Sequence, residues 1–310
     1  MIKNAITYSV VMPQTSSEMI DHIVNNGIIS REPGSQEMSH FGFVGHPITG
    51  KFVSKFPNGY CVSFREHKKD IKPSIVRQMV QEKVNALDYI PKRAEVNEMK
   101  EEVIFDLAAR IPSEPRNYYA YYHIPSQTLI VDSTSQKVAD KITALLRKTI
   151  GSLLAKTLYI DSTVGLTTRL SNYLQDEDRD IFIQGLTLGN TLVLKSHEGE
   201  SVTYKDMDLL NDGTSGEIIE LIRNHMSIRQ LEMDLTGVCD FVLTDGFKLK
   251  KLNYPEYDNS DYAKNSEEGW VSDSWYSVQQ IVVVMGILVK EFTVVEETPS
   301  TPSVPVPPGV

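Results

Sequence analysis

From Tyr118 to Gly151 the chain reads YYAYYHIPSQTLIVDSTSQKVADKITALLRKTIG, and this stretch decides the fold class. Tyr118–Ile124 and Thr128–Asp132 are aromatic and β-branched runs separated by Pro125-Ser126-Gln127, which predicts two paired strands. Ser135 can then cap a helix over Gln136–Ile150, closed by Gly151. Upstream, a charged helix is predicted over Arg93–Arg110, with Pro112 and Pro115 ending it. Before that, Pro73 suits a first helical turn, and Ile75, Val76, Met79, Val80, Val84 and Leu87 follow at helical spacing. The resulting helix–strand–strand–helix rhythm predicts an α+β protein with mixed helix and antiparallel-sheet layers, not a parallel βαβ repeat.

Towards the N-terminus, Ala5–Met12 reads as a strand and Ser17–Asn26 as a helix. Met19, Ile20, Ile23 and Val24 would form its buried stripe, and Gly27 its stop. Short strands follow at Phe41–Val44, Lys51–Phe56 and Tyr60–Arg65, with Pro57-Asn58-Gly59 turning between the last two. Towards the C-terminus a helix is expected at Leu166–Leu174, then strands near Ile181–Thr187 and Thr191–Ser196. Thr214 and Glu217 form a Thr-x-x-Glu capping box for a helix ending near His225. Arg229–Leu235, Asp240–Leu243 and Phe247–Asn253 read as a meander, with Asp245-Gly246 as its last turn. Asp273–Phe292 reads as a long helix. Four regions follow: an N-terminal α+β region (1–70), a central basic α+β region (71–160), a C-terminal α+β region (161–295) and a Pro-rich tail (296–310) expected to be disordered.

The 310 residues include 31 Lys+Arg and 41 Asp+Glu, a formal charge of −10, with 41% hydrophobic content. These values fit a folded chain and rule out disorder over most of its length. The longest apolar run, Ile281–Val289, is too short to span a bilayer, so no membrane role is expected. The start, Met1-Ile2-Lys3-Asn4-Ala5, has no secretory pattern. Two distant cysteines, Cys61 and Cys239, suit a reducing cytosol and offer no zinc spacing.

The acidic total hides an asymmetry. Between Cys61 and Lys156 there are 16 Lys+Arg and 12 Asp+Glu, against 15 and 29 elsewhere. A basic middle in an acidic chain can present one positive surface to phosphates; solvated helix faces would produce the same count. On the helix Gln136–Ile150, Lys137, Lys141 and Lys148 fall within about 40° of one another at 100° per residue, away from Val138, Ile142, Leu145 and Leu146. Further cations gather at Arg65, Lys68, Lys69 and Lys72, then at Lys92 and Arg93, while Lys248 and Lys250 share one face of a strand. No base-reading motif accompanies them. Lysines on long stems suit phosphate contacts without sequence preference.

Catalytic patterns are weak. Gly45-His46-Pro47-Ile48-Thr49-Gly50-Lys51-Phe52 follows a phosphate-binding loop until Phe52, which has no hydroxyl for magnesium, and Pro47 removes an N–H; it reads as a hairpin loop. Asp176-Glu177-Asp178-Arg179-Asp180 looks like a solvated loop. Asp234, Asp240 and Asp245 could converge on a metal, yet strand-end acids are commonly turn formers. Glu98-x-Lys100 matches a fragment of a nuclease motif, but on a helix. No cofactor is implied.

In order along the chain, Gly34-Ser35-Gln36-Glu37-Met38, Asn58-Gly59, Ile71-Lys72-Pro73-Ser74 followed by Arg77-Gln78, and Leu129-Ile130-Val131-Asp132 before Leu145-Leu146-Arg147-Lys148-Thr149-Ile150-Gly151-Ser152 resemble the recombination-associated RdgC family. So do Gly216-Glu217-Ile218, Met233-Asp234-Leu235 and Phe241–Leu252. The resemblance runs from about residue 5 to 255, weakens over Tyr257–Phe292, and leaves the tail without a counterpart, which would suit a phage or mobile-element copy. It implies an elongated protomer of a ring-shaped homodimer. Such a ring would be basic inside and acidic outside, binding double-stranded DNA, with single-stranded DNA as a further ligand. It also implies a cytoplasmic, nucleoid-associated role that restrains a RecA-type recombinase. The alternative is a metal-dependent DNA exonuclease on the same scaffold, because some family sequences carry that label. By this resemblance Arg77, Arg110, Arg147 and Lys205 join the phosphate-contacting candidates. Two departures stand out. Ala108-Ala109-Arg110-Ile111-Pro112 keeps the cation of the family's Leu-Pro-Arg-Ala-Phe stretch but not its aromatic. In Lys205-Asp206-Met207 only Lys205 matches the family's Lys-Lys-Gln.

Overall fold

The computed structural model describes residues 1–12, 15–151, 153, 156–157, 165–176, 182–255, 257–258 and 266–292. The Pro-rich tail and most of the acidic run after Asp176 lie outside the described residues. The chain divides into two compact units. The first takes the described residues within 1–158, 237–242 and 248–282; the second takes those within 159–236, 243–247 and 283–310.

The first unit holds a seven-stranded antiparallel sheet. Its strands are β1 (Ile6–Ser9), β2 (Ser39–Phe43), β3 (Val53–Phe56), β4 (Gly59–Lys69), β5 (Ser113–His123), β6 (Thr128–Val131) and β7 (Lys156–Thr157). They run in the order β2-β4-β5-β6-β1-β7, with β3 also on β4. The long partners β4 and β5 pair from Gly59↔His123 to Lys69↔Ser113. Both faces are covered. Helices α1 (Ser16–Asn26) and α4 (Gln136–Ile150) lie on one, where Met19, Ile23, Ile142 and Leu146 meet Tyr60, Phe64, Tyr122 and Leu129 in one core. The first part of a long helix, here numbered α7 (Glu267–Phe292), lies on the other. There the buried His46 packs 4.7 Å from the Trp270 ring and 5.2 Å from Tyr119. Its Nδ1 accepts the N–H groups of Ile48 and Thr49, so the phosphate-loop-like stretch is a structural hairpin loop held by its own histidine.

Helices α2 (Pro73–Asn85) and α3 (Arg93–Arg110) form a hairpin between β4 and β5. The bounds of α3 and α4 agree with the sequence expectation. Other details differ. Ile20 and Val24 were placed in the buried stripe of α1, but both are exposed, Val24 at 69%; only Met19 and Ile23 lie on the narrow face that meets the sheet. Pro115 does not end anything: it sits within β5, opposite His67. Lys69 donates its N–H to Met38 across the β2 side. By alternation His67 also turns its backbone groups towards β2, so nothing on β4 needs an N–H from Pro115.

The second unit contains α5 (Leu166–Gln175), α6 (Asp212–Arg223) and the strands β8 (Thr187–Lys195), β9 (Ser201–Tyr204) and β10 (Ser227–Leu235). These strands continue a five-stranded sheet of order β12-β11-β10-β8-β9, whose remaining members are β11 (Cys239–Thr244) and β12 (Leu249–Asn253). Of the two strands expected here, Thr191–Ser196 falls largely in β8, which starts earlier and is bulged in its pairing to β10. The other, Ile181–Thr187, is not a strand over residues 182–186, where the chain turns through an isolated Ile183↔Leu186 bridge, and Ile181 lies outside the described residues. The expected capping box of α6 is replaced: Asn211 caps it, its side chain accepting from the Gly213 N–H, while Thr214 is buried in the first turn. Arg169 ties α5 to the end of α7, donating to the Glu291 carboxylate (2.8 Å) and carbonyl and lying 5.1 Å from the Phe292 ring centroid.

Candidate nucleic-acid interface

The basic groups of β4 and α4, about seventy residues apart in sequence, reach one surface because α4 docks on the sheet by its apolar side. Its buried face is Val138, Ala139, Ile142, Leu145 and Leu146, leaving Lys137, Lys141, Arg147 and Lys148 exposed. Lys141 reaches across to the sheet, where its Nζ lies 2.5 Å from Glu66 Oε1. Glu66 marks the face: strand alternation places Lys68 on the same side, and the register sets Arg116 opposite Glu66 and Glu114 opposite Lys68. Lys68, Lys137, Arg147 and Lys148 make no ion pair with any described residue, and Arg116 makes a loose one with Glu114 at 3.5 Å. Arg116 was missed in the sequence. Its signal was the β4–β5 register, which cannot be counted without knowing that β5 starts at Ser113.

The run Arg65, Lys68, Lys69, Lys72 does not act as one cluster. Arg65 lies on the opposite side of β4 from Lys68, its Nε donating to Asn117 Oδ1 at 2.8 Å. Lys69 is buried, only 6% exposed, and its Nζ donates to the carbonyls of Gly34 (2.7 Å) and Ser35. That ammonium anchors a loop and is withdrawn from any phosphate track. The loop is clasped further by Arg31 and Glu37, whose carboxyl the guanidinium and the Gly34 N–H hold down at about 2.

On the hairpin, Lys72 precedes α2, Arg77 lies on it, Lys92 and Arg93 open α3 and Arg110 closes it; all five are exposed. Arg77 and Lys100 flank an apolar groove of about 750 Å³ lined by Val76, Val80, Val84 and Ile104. Lys205 is exposed beside Asp206 at 3.9 Å. Lys248 lies just before β12 and Lys250 within it, and both are half-buried.

Two of the acidic residues considered for a metal have other partners, and residues 177–180 lie outside the described residues. Asp245 is ion-paired with Arg229, and Asp240 accepts from the Asn253 amide. Glu98 and Lys100 lie on α3. Among the described residues, no three His, Cys, Asp or Glu side chains gather so as to hold a metal ion. Nor is any described helix long and apolar enough to cross a membrane. Cys61 and Cys239 are buried, and burial pushes the Cys61 thiol up.

Comparison with known proteins points to the same family. A protein named "Recombination-associated protein RdgC" from Aeromonas hydrophila is 28% identical over 233 residues, covering 72% of this chain and 73% of its own length. A protein of the same name from Colwellia psychrerythraea is 25% identical over 236 residues, covering 71% and 72%. Its namesake from Yersinia enterocolitica is 24% identical over 262 residues, covering 77% and 81%. The family profile described as "Putative exonuclease, RdgC" matches residues 1–292, reaching through the long helix where the motif resemblance had faded. The chain belongs to the RdgC family.

Proposed function

We propose that this protein binds duplex DNA without sequence preference, through phosphate contacts from the α4 lysine stripe, Lys68 and Arg116, and acts in recombination by restraining a RecA-type recombinase. One observation carries the reading. Cations from two separate sequence segments meet on one face, with Lys68, Lys137 and Lys148 free of described ion pairs. Charges held on a sheet and a docked helix suit a regular array of phosphates, and nothing in the cluster resembles a base-reading element. The relatives' names, which speak of recombination, support the process.

A homodimer that encircles the duplex, with the protein at the nucleoid, completes the proposal. Its support is the α2–α3 hairpin, whose tip leaves Ile90 95% exposed beside the exposed Tyr89, with Phe105 exposed on α3. Apolar surface of this kind is commonly covered by a partner.

The test incubates end-labelled duplex with the purified protein and Mg²⁺ or Mn²⁺ over a range of salt. Intact, shifted DNA whose log K falls with log[salt] at a slope of about −5, as for roughly six phosphates, is expected. Shortened DNA would support the exonuclease reading that the family description carries, and a salt-independent shift would overturn phosphate-led binding.

A further inference from the structure

In the middle of this basic face stands one carboxylate that is nearly buried. The Glu66 side chain is 9% exposed, whereas that of Lys141 is 47% exposed, and the two form a direct ion pair at 2.5 Å. The pair lies between other cations: Lys137 and Lys148 continue the stripe along α4, Lys68 lies two residues along β4, and Arg116 sits across the strand pair. A carboxylate in such a place lowers the local positive potential where the lysine stripe would otherwise be continuous. We infer that Glu66 is a built-in competitor for phosphate, holding Lys141 out of the DNA contacts until duplex displaces it.

This inference rests on the proposed DNA binding and adds a residue that limits it. The geometry permits an exchange. Lys141 is half exposed on a flexible stem and can turn its ammonium to a phosphate oxygen. Glu66 would then stay behind as a mostly desolvated carboxylate, which is costly unless other donors face it. Two do. The Tyr118 hydroxyl faces the same carboxylate, and burial together with the Glu66 charge pushes that hydroxyl's pKa up. The Arg116 guanidinium, opposite in register, is held only loosely by Glu114. Phosphate must therefore outcompete a local carboxylate at one of the central cations, which weakens binding and lets the protein leave DNA more readily.

The experiment measures duplex affinity against salt for the full chain, for Glu66→Gln, for Lys141→Gln in the Glu66→Gln background, and for Glu98→Gln. Glu98, exposed on α3, gives the same change in net charge away from the pair. Glu66→Gln is expected to bind about fivefold more tightly near 0.15 M salt, with a slope steeper by about one, because in the wild type the displaced carboxylate takes up a cation that offsets one released from the phosphates and the amide does not. Glu98→Gln should leave the slope unchanged, and adding Lys141→Gln should erase the gain. A gain that survives the loss of Lys141, or that Glu98→Gln reproduces, overturns the competitor in favour of a general charge effect. If Glu66→Gln does not fold, Glu66→Asp keeps the charge but shortens its reach. It should move affinity in the same direction by less, and no gain there overturns the inference. If the wild-type chain binds duplex and Glu66→Gln matches it in affinity and slope, only the competitor falls. If neither binds at any salt, the DNA reading fails and takes the inference with it.

Discussion

The sheet of the first unit with α1 and α4, and the α2–α3 hairpin inserted into it, are neighbours in sequence built on opposite principles. On α4, seven residues are buried, among them Ile142 and Leu146 at 0% exposure. On α2 only Val76 is buried, and on the 18-residue α3 only Val103 and Ala108. The first is a platform whose side-chain positions are fixed by close packing. The second is held mainly by one helix against the other, and its apolar groove and tip remain open. On the proposed reading, the region that fixes charges in space would meet nucleic acid, and the region that leaves apolar surface open would meet a second copy of the chain.

The largest effect that could break this contrast is on stability. Leu146→Ala should cost about 2–5 kcal/mol by leaving a cavity in the platform, whereas Val80→Ala in the half-open hairpin groove should cost under about 1.5 kcal/mol. Urea unfolding midpoints check both, and equal shifts would mean the hairpin is as tightly built as the platform.

Acid should act on the platform next. Burial holds the His46 imidazole down at about 4, against an ordinary 6.5. Between those values the unfolded chain takes up a proton that the folded chain refuses, so stability should fall as pH drops from about 6.5 to about 4, with no further loss from this group below. His46→Gln, which keeps an acceptor for the Ile48 and Thr49 N–H groups, should flatten the dependence of the melting temperature on pH across that window. An unchanged slope would show that other groups set it.

Charge changes separate the two regions by their DNA readout. Lys137→Gln with Lys148→Gln should weaken duplex binding at every sequence tested, with a salt slope shallower by about two. Lys92→Gln with Arg93→Gln on the hairpin should change it less. The reverse ranking would move the phosphate track onto the hairpin.

Smallest of all should be the effect of Ile90→Ser on unfolding, within about 0.5 kcal/mol because the side chain has so little to lose. The same variant should nevertheless shift a homodimer towards monomer in light scattering on dilution. A dimer that dilutes like the wild type would clear the hairpin tip of that role.

The contrast also explains what could be read from the sequence. The bounds of α3 and α4 were legible because capping residues and breakers frame them: the Glu95 carboxylate accepts the Lys92 N–H, and Gly151 at φ 84° closes α4. The earlier start of β8, which runs through Gly189-Asn190, was not legible, since pairing with β10 overrides the local turn preference. Nor was the capping of α6 by Asn211 in place of the Thr214–Glu217 box. At the candidate site the lysine stripe on α4 followed from periodicity alone. The commitments of individual cations did not, because Lys69 is held by carbonyls 34 and 35 residues upstream and Lys141 by a carboxylate 75 residues away. A net-charge count treats these two lysines like any other, whereas burial and pairing remove both from the free positive surface.

The anchored ammonium of Lys69 also has a practical consequence for chemical mapping. An amine-acylating reagent attacks an accessible, transiently neutral amine. The Lys69 nitrogen, enclosed beneath the Gly34–Ser35 loop, should stay unlabelled with or without DNA, while Lys68 next to it on the open side should label readily. Two adjacent residues thus provide an internal blank and an internal signal within one peptide. Any protection of Lys68 by duplex can then be scored against Lys69, and labelling of Lys69 would report that the loop had opened.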